Sequence, residues 1–260
     1  MTSPALASGT RSNDRPKRLI AIVDGDGVHL YYTSMLLQRL DYDIHAMRTA
    51  GEVLDLLDMA RPALILTELG LPDMDGLEFI RKIKRNPHTY GIPIIVYTSR
   101  QDPAARDACM KEVCKDFLQK PTEPEVLYAA IQKVTETTPR QFIRLATSLN
   151  VMLGSGKDAD LSATQDTITA LSEQGMFVST PKPIAAGARI PVEIFLEHAR
   201  IRVEGEVLYS FEQGQGPLRT SGMGIKFIRI EPADQERVRS FIRREITKDL
   251  YLERPKKTTW

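Results

Sequence analysis

From Arg18 onward the chain alternates short apolar runs with longer stretches of helical period. Leu19-Ile20-Ala21-Ile22-Val23 is apolar throughout and stops at Asp24, the pattern of a strand buried on both faces. Leu30, Met35, Leu36, Leu37 and Leu40 then share one broad helical face. A second strand is expected near Asp43–Met47, followed by a helix carrying Val53, Leu54, Leu56 and Leu57. Ala63–Thr67 reads as a third strand, Leu77–Ile83 as a third helix, and Ile92–Tyr97 as a fourth strand with Pro93 tolerable only at its start. Ala104–Val113 reads as helix, Phe117–Gln119 as a short strand and Glu123–Val134 as a last helix. Strands and helices in strict alternation predict an α/β doubly wound sheet.

After a polar stretch ending in Pro139 the period changes. Val151–Leu153, Thr167–Ala170, Met176–Ser179, Ile190–Leu196, Ile201–Tyr209 and Gly224–Ile230 are short strand candidates separated by Gly and Pro. Ile201, Val203, Val207 and Tyr209 alternate every second residue, and Gly205 among them marks a bulge or a close approach. Many short strands with little helix between them predict a β-barrel. Pro232 opens a helix to Ile246 with Val238, Phe241, Ile242 and Ile246 on one face. The chain is thus divided into a leader over 1–17, an α/β domain over 18–134, a linker over 135–139, a barrel domain over 140–246 and a flexible tail over 247–260.

Charge narrows the partners. The 35 Lys and Arg nearly balance the 34 Asp and Glu, for a net charge of +1, so no overall field calls for nucleic acid. The basic face of Arg237, Arg239, Arg243, Arg244 and Lys248 reads as a solvated surface. No apolar run approaches the ~18 residues that span a bilayer. The leader lacks an apolar signal core, so a cytoplasmic protein is expected. Cys109 and Cys114 have neither metal nor redox spacing and read as free thiols. His29, His45, His88 and His198 are scattered without ligand spacing. Gly154-Ser155-Gly156-Lys157 lacks the spacing of a phosphate loop and reads as a turn.

Two constellations carry chemistry. In an open α/β sheet ligands bind beyond the carboxyl ends of the strands. There the first domain places Asp24 with Asp26, Glu68, Thr98 with Ser99, and Lys120. Carboxylates for a hard cation, with a hydroxyl and an ammonium for phosphoryl oxygens, are the ingredients of phosphoryl transfer. Ile22-Val23-Asp24, Leu71-Pro72-Asp73-Met74-Asp75-Gly76, Tyr97-Thr98-Ser99 and Phe117-Leu118-Gln119-Lys120-Pro121 resemble the response-regulator receiver family, a flavodoxin-like fold. In that family the position of Glu68 holds a phospho-accepting aspartate, and two adjacent acids stand where this chain has Asp24-Gly25. A carboxyl one methylene too long misses a near-attack distance of ~3–3.5 Å, where an error of ~1 Å costs about two decades in rate. The resemblance therefore implies a pocket (Asp24, Asp26, Glu68, Thr98, Lys120) that is not regulated by aspartyl phosphorylation, with a Mg²⁺ site on Asp24 and Asp26 weakened by the missing acid. Glu68 either imitates a phosphorylated aspartate or forms a buried ion pair with Lys120. Phe117 stands at the family's aromatic switch position or is plain core. The family meets protein partners through its fourth helix, fifth strand and fifth helix, where Lys111, Lys115 and Tyr128 are candidates.

In the second domain Arg140 and Arg144 stand four residues apart. Guanidinium forks suit phosphate and can stack on bases. With Ala170-Leu171-Ser172-Glu173-Gln174-Gly175 and Gly222-Met223-Gly224-Ile225-Lys226-Phe227 they resemble the PilZ family, a β-barrel with a C-terminal helix that binds cyclic di-GMP. The resemblance implies that Arg140 and Arg144 take phosphates and guanine faces, that Ser172 donates a hydrogen bond and that Gly175 allows close approach. Ala170 departs from the family's Asp or Asn, a loss of ~1.5–3 kcal/mol, or about one to two decades in affinity. The expected function is a signalling protein that senses cyclic di-GMP and docks partners through the receiver-like domain, not an enzyme. The alternatives are a ligand-independent scaffold in motility or surface-polysaccharide control, and a phosphorelay response regulator in which Asp26 or Asp73 accepts the phosphate.

Overall fold

The computed structural model describes residues 17–111, 114–154, 166–197, 199–216 and 219–250. The expected leader before residue 17, the tail beyond 250, the turn at Ser155–Lys157, the end of the fourth helix at Val113, and His198 lie outside the described residues. Among the described residues two compact units emerge: Lys17–Ile143 together with Phe241–Leu250, and Arg144–Ser240.

The first unit contains β1 (Leu19–Val23), α1 (Gly27–Arg39), β2 (Asp43–Met47), α2 (Ala50–Met59), β3 (Leu64–Thr67), α3 (Gly76–Arg85), β4 (Ile94–Thr98), α4 (Pro103–Lys111), β5 (Asp116–Gln119) and α5 (Pro124–Thr135). The strands form a sheet in the order β2-β1-β3-β4-β5, and every neighbouring pair is parallel. This is the doubly wound order expected. β3 and β4 are buried along their whole length, which is why they read as unbroken apolar runs. β1, β3, β4 and the loop after β5 end on the same side of the sheet, so Asp24, Glu68, Thr98 and Lys120 converge there.

The acids of the Leu-Pro-Asp-Met-Asp-Gly run serve helix ends. Asp75 N-caps α3, accepting from the amides of Leu77 (2.9 Å) and Glu78 (3.3 Å). Asp73 accepts from the first-turn amides of α2, Ala50 and Gly51, both at 2.9 Å. Gly76 is demanded by packing, because a Cβ there would lie 2.5 Å from the Leu69 Cα.

The cysteines correct an expectation. Cys109 and Cys114 are disulfide-bonded, with Cα atoms 5.6 Å apart. The free-thiol reading put both on one helix. α4 is described over Pro103–Lys111, and the Cys114 amide donates to the Cys109 carbonyl at 3.1 Å. Tyr128 is a second correction: it is 3% exposed, a core residue and not part of a docking face.

The second unit is a closed barrel of β6 (Leu145–Leu153), β7 (Thr167–Ser172), β8 (Gly175–Ser179), β9 (Arg189–Leu196), β10 (Ala199–Phe211) and β11 (Gly222–Ile230), in the order β10-β11-β8-β7-β6-β9 with β9 pairing β10. All its pairings are antiparallel. Ile168, Leu171, Val178, Ile194, Ile201 and Met223 fill the interior. α6 (Pro232–Thr247) follows β11. Gly205 meets both expectations: the register shifts beside it, and a Cβ there would lie 2.5 Å from the Ile225 side chain.

Candidate functional sites

At the sheet's C-terminal edge the structure brings together four of the five expected pocket residues. Asp24, Glu68, Thr98 and Lys120 are all buried, at 5%, 7%, 0% and 7% exposure, so their charges are poorly screened by solvent. Glu68 is the hub. Its Oε1 accepts from the Thr98 hydroxyl, from the Leu69 amide at 2.7 Å and from the Gly70 amide at 3.5 Å. Its Oε2 accepts from the Ser99 amide at 3.0 Å and from Lys120 Nζ at 2.9 Å. The ammonium also donates to Asp24 Oδ2 at 2.5 Å and lies 5.2 Å from the centre of the Tyr97 ring. Burial alone would raise the Glu68 pKa, but the Thr98 hydrogen bond, the Lys120 charge and the Ser99 amide outweigh it and hold the carboxyl below its usual value.

Asp26 lies apart from this web. Its carboxylate N-caps α1, accepting from the amides of Val28 (2.8 Å) and His29 (3.4 Å). The Val28 hydrogen bond leads in holding its pKa low and, with His29, outweighs the opposing effect of burial. Asp24 and Asp26, the pair that the resemblance implies for a weakened Mg²⁺ site, do not present a free set of oxygens for a divalent ion. One Asp24 oxygen is bound to an ammonium and the other accepts the Asp26 amide at 2.9 Å, while Asp26 is spent on a helix end. Asp73 is likewise engaged with α2. Phe117 is buried, with the Arg106 guanidinium 5.9 Å from its ring centre.

On the barrel, Arg144 immediately precedes β6. Leu145 pairs with Leu171, which sets Arg144 beside Ser172 on the neighbouring strand. Arg144 is exposed, and no partner for its guanidinium is found among the described residues. Arg140 is also exposed and belongs to the first unit, where its amide donates to Gln132 Oε1 at 3.0 Å. Ser172 and Gly175 pair across the β7–β8 turn. The Ser172 hydroxyl donates to the Gly175 carbonyl at 2.9 Å, so its proton is used within the turn and only its lone pairs face outward. Gly175 is required by the barrel itself, since a Cβ would lie 2.5 Å from the Ile225 carbonyl oxygen. Glu173, in the same turn, is 7% exposed and paired with Arg239 of α6 at 2.9 Å. Sequence reasoning passed over Glu173. An acid at a two-residue turn with a basic helix downstream was the available signal.

Family models agree with the two architectures. Residues 20–132 match the response regulator receiver domain and residues 138–244 match the PilZ domain. The chain carries a receiver domain followed by a PilZ domain, the modules of a signalling protein. Among curated proteins it is similar to the CAI-1 autoinducer sensor kinase/phosphatase CqsS of Vibrio cholerae serotype O1, 31% identical over 44% of this chain and 17% of that protein. It is also similar to Protein PilH of Pseudomonas aeruginosa, 23% identical over 44% of this chain and 95% of that protein. The chain spans about half or less of the first curated relatives it matches, with shares of 17%, 54% and 52%. Among solved structures, the chemotaxis response regulator CheY4 of Vibrio cholerae is 24% identical, covering 46% of this chain and 99% of that one with a TM-score of 0.43. No helix among the described residues is long and apolar enough to cross a membrane.

Proposed function

We propose that this chain is a cyclic di-GMP effector whose receiver domain is held in one state by Glu68 and is not switched by phosphorylation. The carrying observation is the contrast between the two candidate sites. The Glu68 carboxylate is saturated by five donors in a buried pocket, whereas the Arg144 guanidinium beside Ser172 stands exposed and unpartnered among the described residues. Thr98, Ser99 and Lys120 are the groups that would hold a phosphoryl group's oxygens, and they are engaged by the chain's own carboxylate. Phosphate has more charge and more acceptors than one carboxylate, so Glu68 mimics it only in part. Arg144 supplies a fork for a phosphate diester or a guanine face. Arg140 joins it on the Arg-x-x-x-Arg spacing alone. The receiver then serves as a docking module for a protein partner. The β5–α5 face, with a 420 Å³ groove lined by Leu118, Val126 and Ala129, supports that role.

Calorimetric titration with cyclic di-GMP tests the reading. Wild type is expected to bind and Arg144→Ala to bind about 10–100-fold more weakly, the worth of one charge-assisted contact. Absence of any heat at high micromolar ligand sinks it. For the receiver, incubation with acetyl phosphate and Mg²⁺ followed by intact mass is expected to give no adduct; stoichiometric phosphorylation refutes the fixed state.

A further inference from the structure

The strand registers align five residues in one row across the outside of the barrel. Ala146 pairs with Ala170, Ala170 with Phe177, Phe177 with Gly224, and Gly224 with Tyr209. Their chain neighbours Leu171, Met176, Val178, Met223 and Ile225 are buried inside, so by alternation the row points outward. Every member is uncharged, and none but Tyr209 carries a polar side-chain group.

Glycines make room for the aromatic rings on this outer face. A Cβ at Gly224 would fall 2.4 Å from the Tyr209 ring, and one at Gly222 would fall 2.8 Å from the Phe177 ring. One face of each ring is therefore sealed against bare backbone. Tyr209 remains 40% exposed. Phe177 and Tyr209 have centroids 6.4 Å apart with planes at 29°, and Phe211 continues the strip 5.4 Å further on. The strip starts beside Ala170, two residues along β7 from Ser172 and thus on the same face as Arg144. Two strand spacings, about 10 Å, separate β6 from β8, a gap covered by an arginine side chain together with a nucleotide running from phosphate to base.

We propose that Phe177, Tyr209 and Phe211 form a base-stacking shelf, so that the barrel takes purine cyclic dinucleotides as a class, with a phosphate at Arg144 and a purine lying on the aromatic strip. The inference rests on the reading of the barrel as a cyclic dinucleotide site and deepens it. Ala170 offers no hydrogen bond to a base edge, and edge contacts are what separate guanine from adenine. A stacked ring face is present on every base, so binding energy comes without base identity, at ~1–3 kcal/mol per stacked base. Stacking on the strip thereby makes up, without base selectivity, part of the affinity lost at Ala170.

The test is calorimetric titration of the full chain with cyclic di-GMP and with cyclic di-AMP. The two dissociation constants are expected to lie within about tenfold of each other. Tyr209→Leu should weaken both about 5–150-fold, the stacking energy converted, while Tyr209→Trp, which keeps a ring face, should retain both. Ala170→Asp should tighten cyclic di-GMP alone. A preference of wild type for cyclic di-GMP beyond a hundredfold, or a folded Tyr209→Leu that binds both ligands as wild type does, overturns the shelf while leaving the binding site in place. If neither ligand binds wild type, the shelf falls together with the cyclic dinucleotide reading.

Discussion

Replacing Glu68 by glutamine removes one charge from the buried web without changing its size. The amide oxygen can still accept from Thr98 or the nearby amides. The new NH₂ group, however, faces Ser99 N, which now lacks an acceptor, and Lys120 Nζ, which keeps only Asp24. Glu68 and Lys120 side chains are 8% and 3% exposed, so solvent cannot replace the lost contact. Breaking a buried ion pair costs about 3–5 kcal/mol, and the lower end applies here because Lys120 keeps Asp24. A loss of about 3 kcal/mol, at roughly 4 °C per kcal/mol for a domain of this size, lowers the receiver transition by about 12 °C. Scanning calorimetry of the full chain measures it, with hydrogen exchange assigning the transition to Lys17–Ile143. Asp26→Asn, which keeps a competent cap, serves as control and should shift little. The pH dependence follows from the lowered Glu68 pKa. Its contribution is complete above the ordinary value of 4.5 and is lost as pH falls through the lower folded-state value, so wild type and Glu68→Gln should converge in acid. A Glu68→Gln protein melting within 2 °C of wild type at neutral pH refutes the account, where the threshold is about half a kcal/mol.

Other expectations are independent of that web. Gly175→Ala should destabilise the barrel by about 1–3 kcal/mol in urea unfolding, since its Cβ meets the β11 backbone and not a movable side chain; a neutral result would remove the packing explanation for this glycine. Maleimide labelling should find no reactive thiol before reduction and both Cys109 and Cys114 after reduction in denaturant; labelling of unreduced, unfolded protein contradicts the pairing.

β1, β3 and β4 were legible because strands buried on both faces, such as Ile94–Thr98, are continuous or nearly continuous apolar runs. β6 was foreseen only over Val151–Leu153 but starts at Leu145, because Thr147, Ser148 and Asn150 leave its first half partly exposed and polar in sequence. Residue types pointed to Asp24, Glu68, Thr98 and Lys120, which meet in one web. Asp26 was grouped with them on proximity to Asp24, but its position before Val28 and His29 makes it a cap, which local spacing alone could have revealed. The disulfide could not be foreseen, since a spacing of five residues does not by itself bring two Cα atoms to 5.6 Å. Nor was the aromatic shelf visible. It arises from register across β7, β8, β11 and β10, which a linear reading does not contain.

The counter-charge that neutralises Lys120 is part of the polypeptide. An acyl phosphate is consumed by water and must be renewed by a donor, so a module relying on one carries a timer and a fuel requirement. A glutamate side chain has neither: it cannot decay, needs no replenishment, and has the same lifetime as the protein. At neutral pH, where the carboxyl stays ionised, that charge is added and removed together with the chain itself.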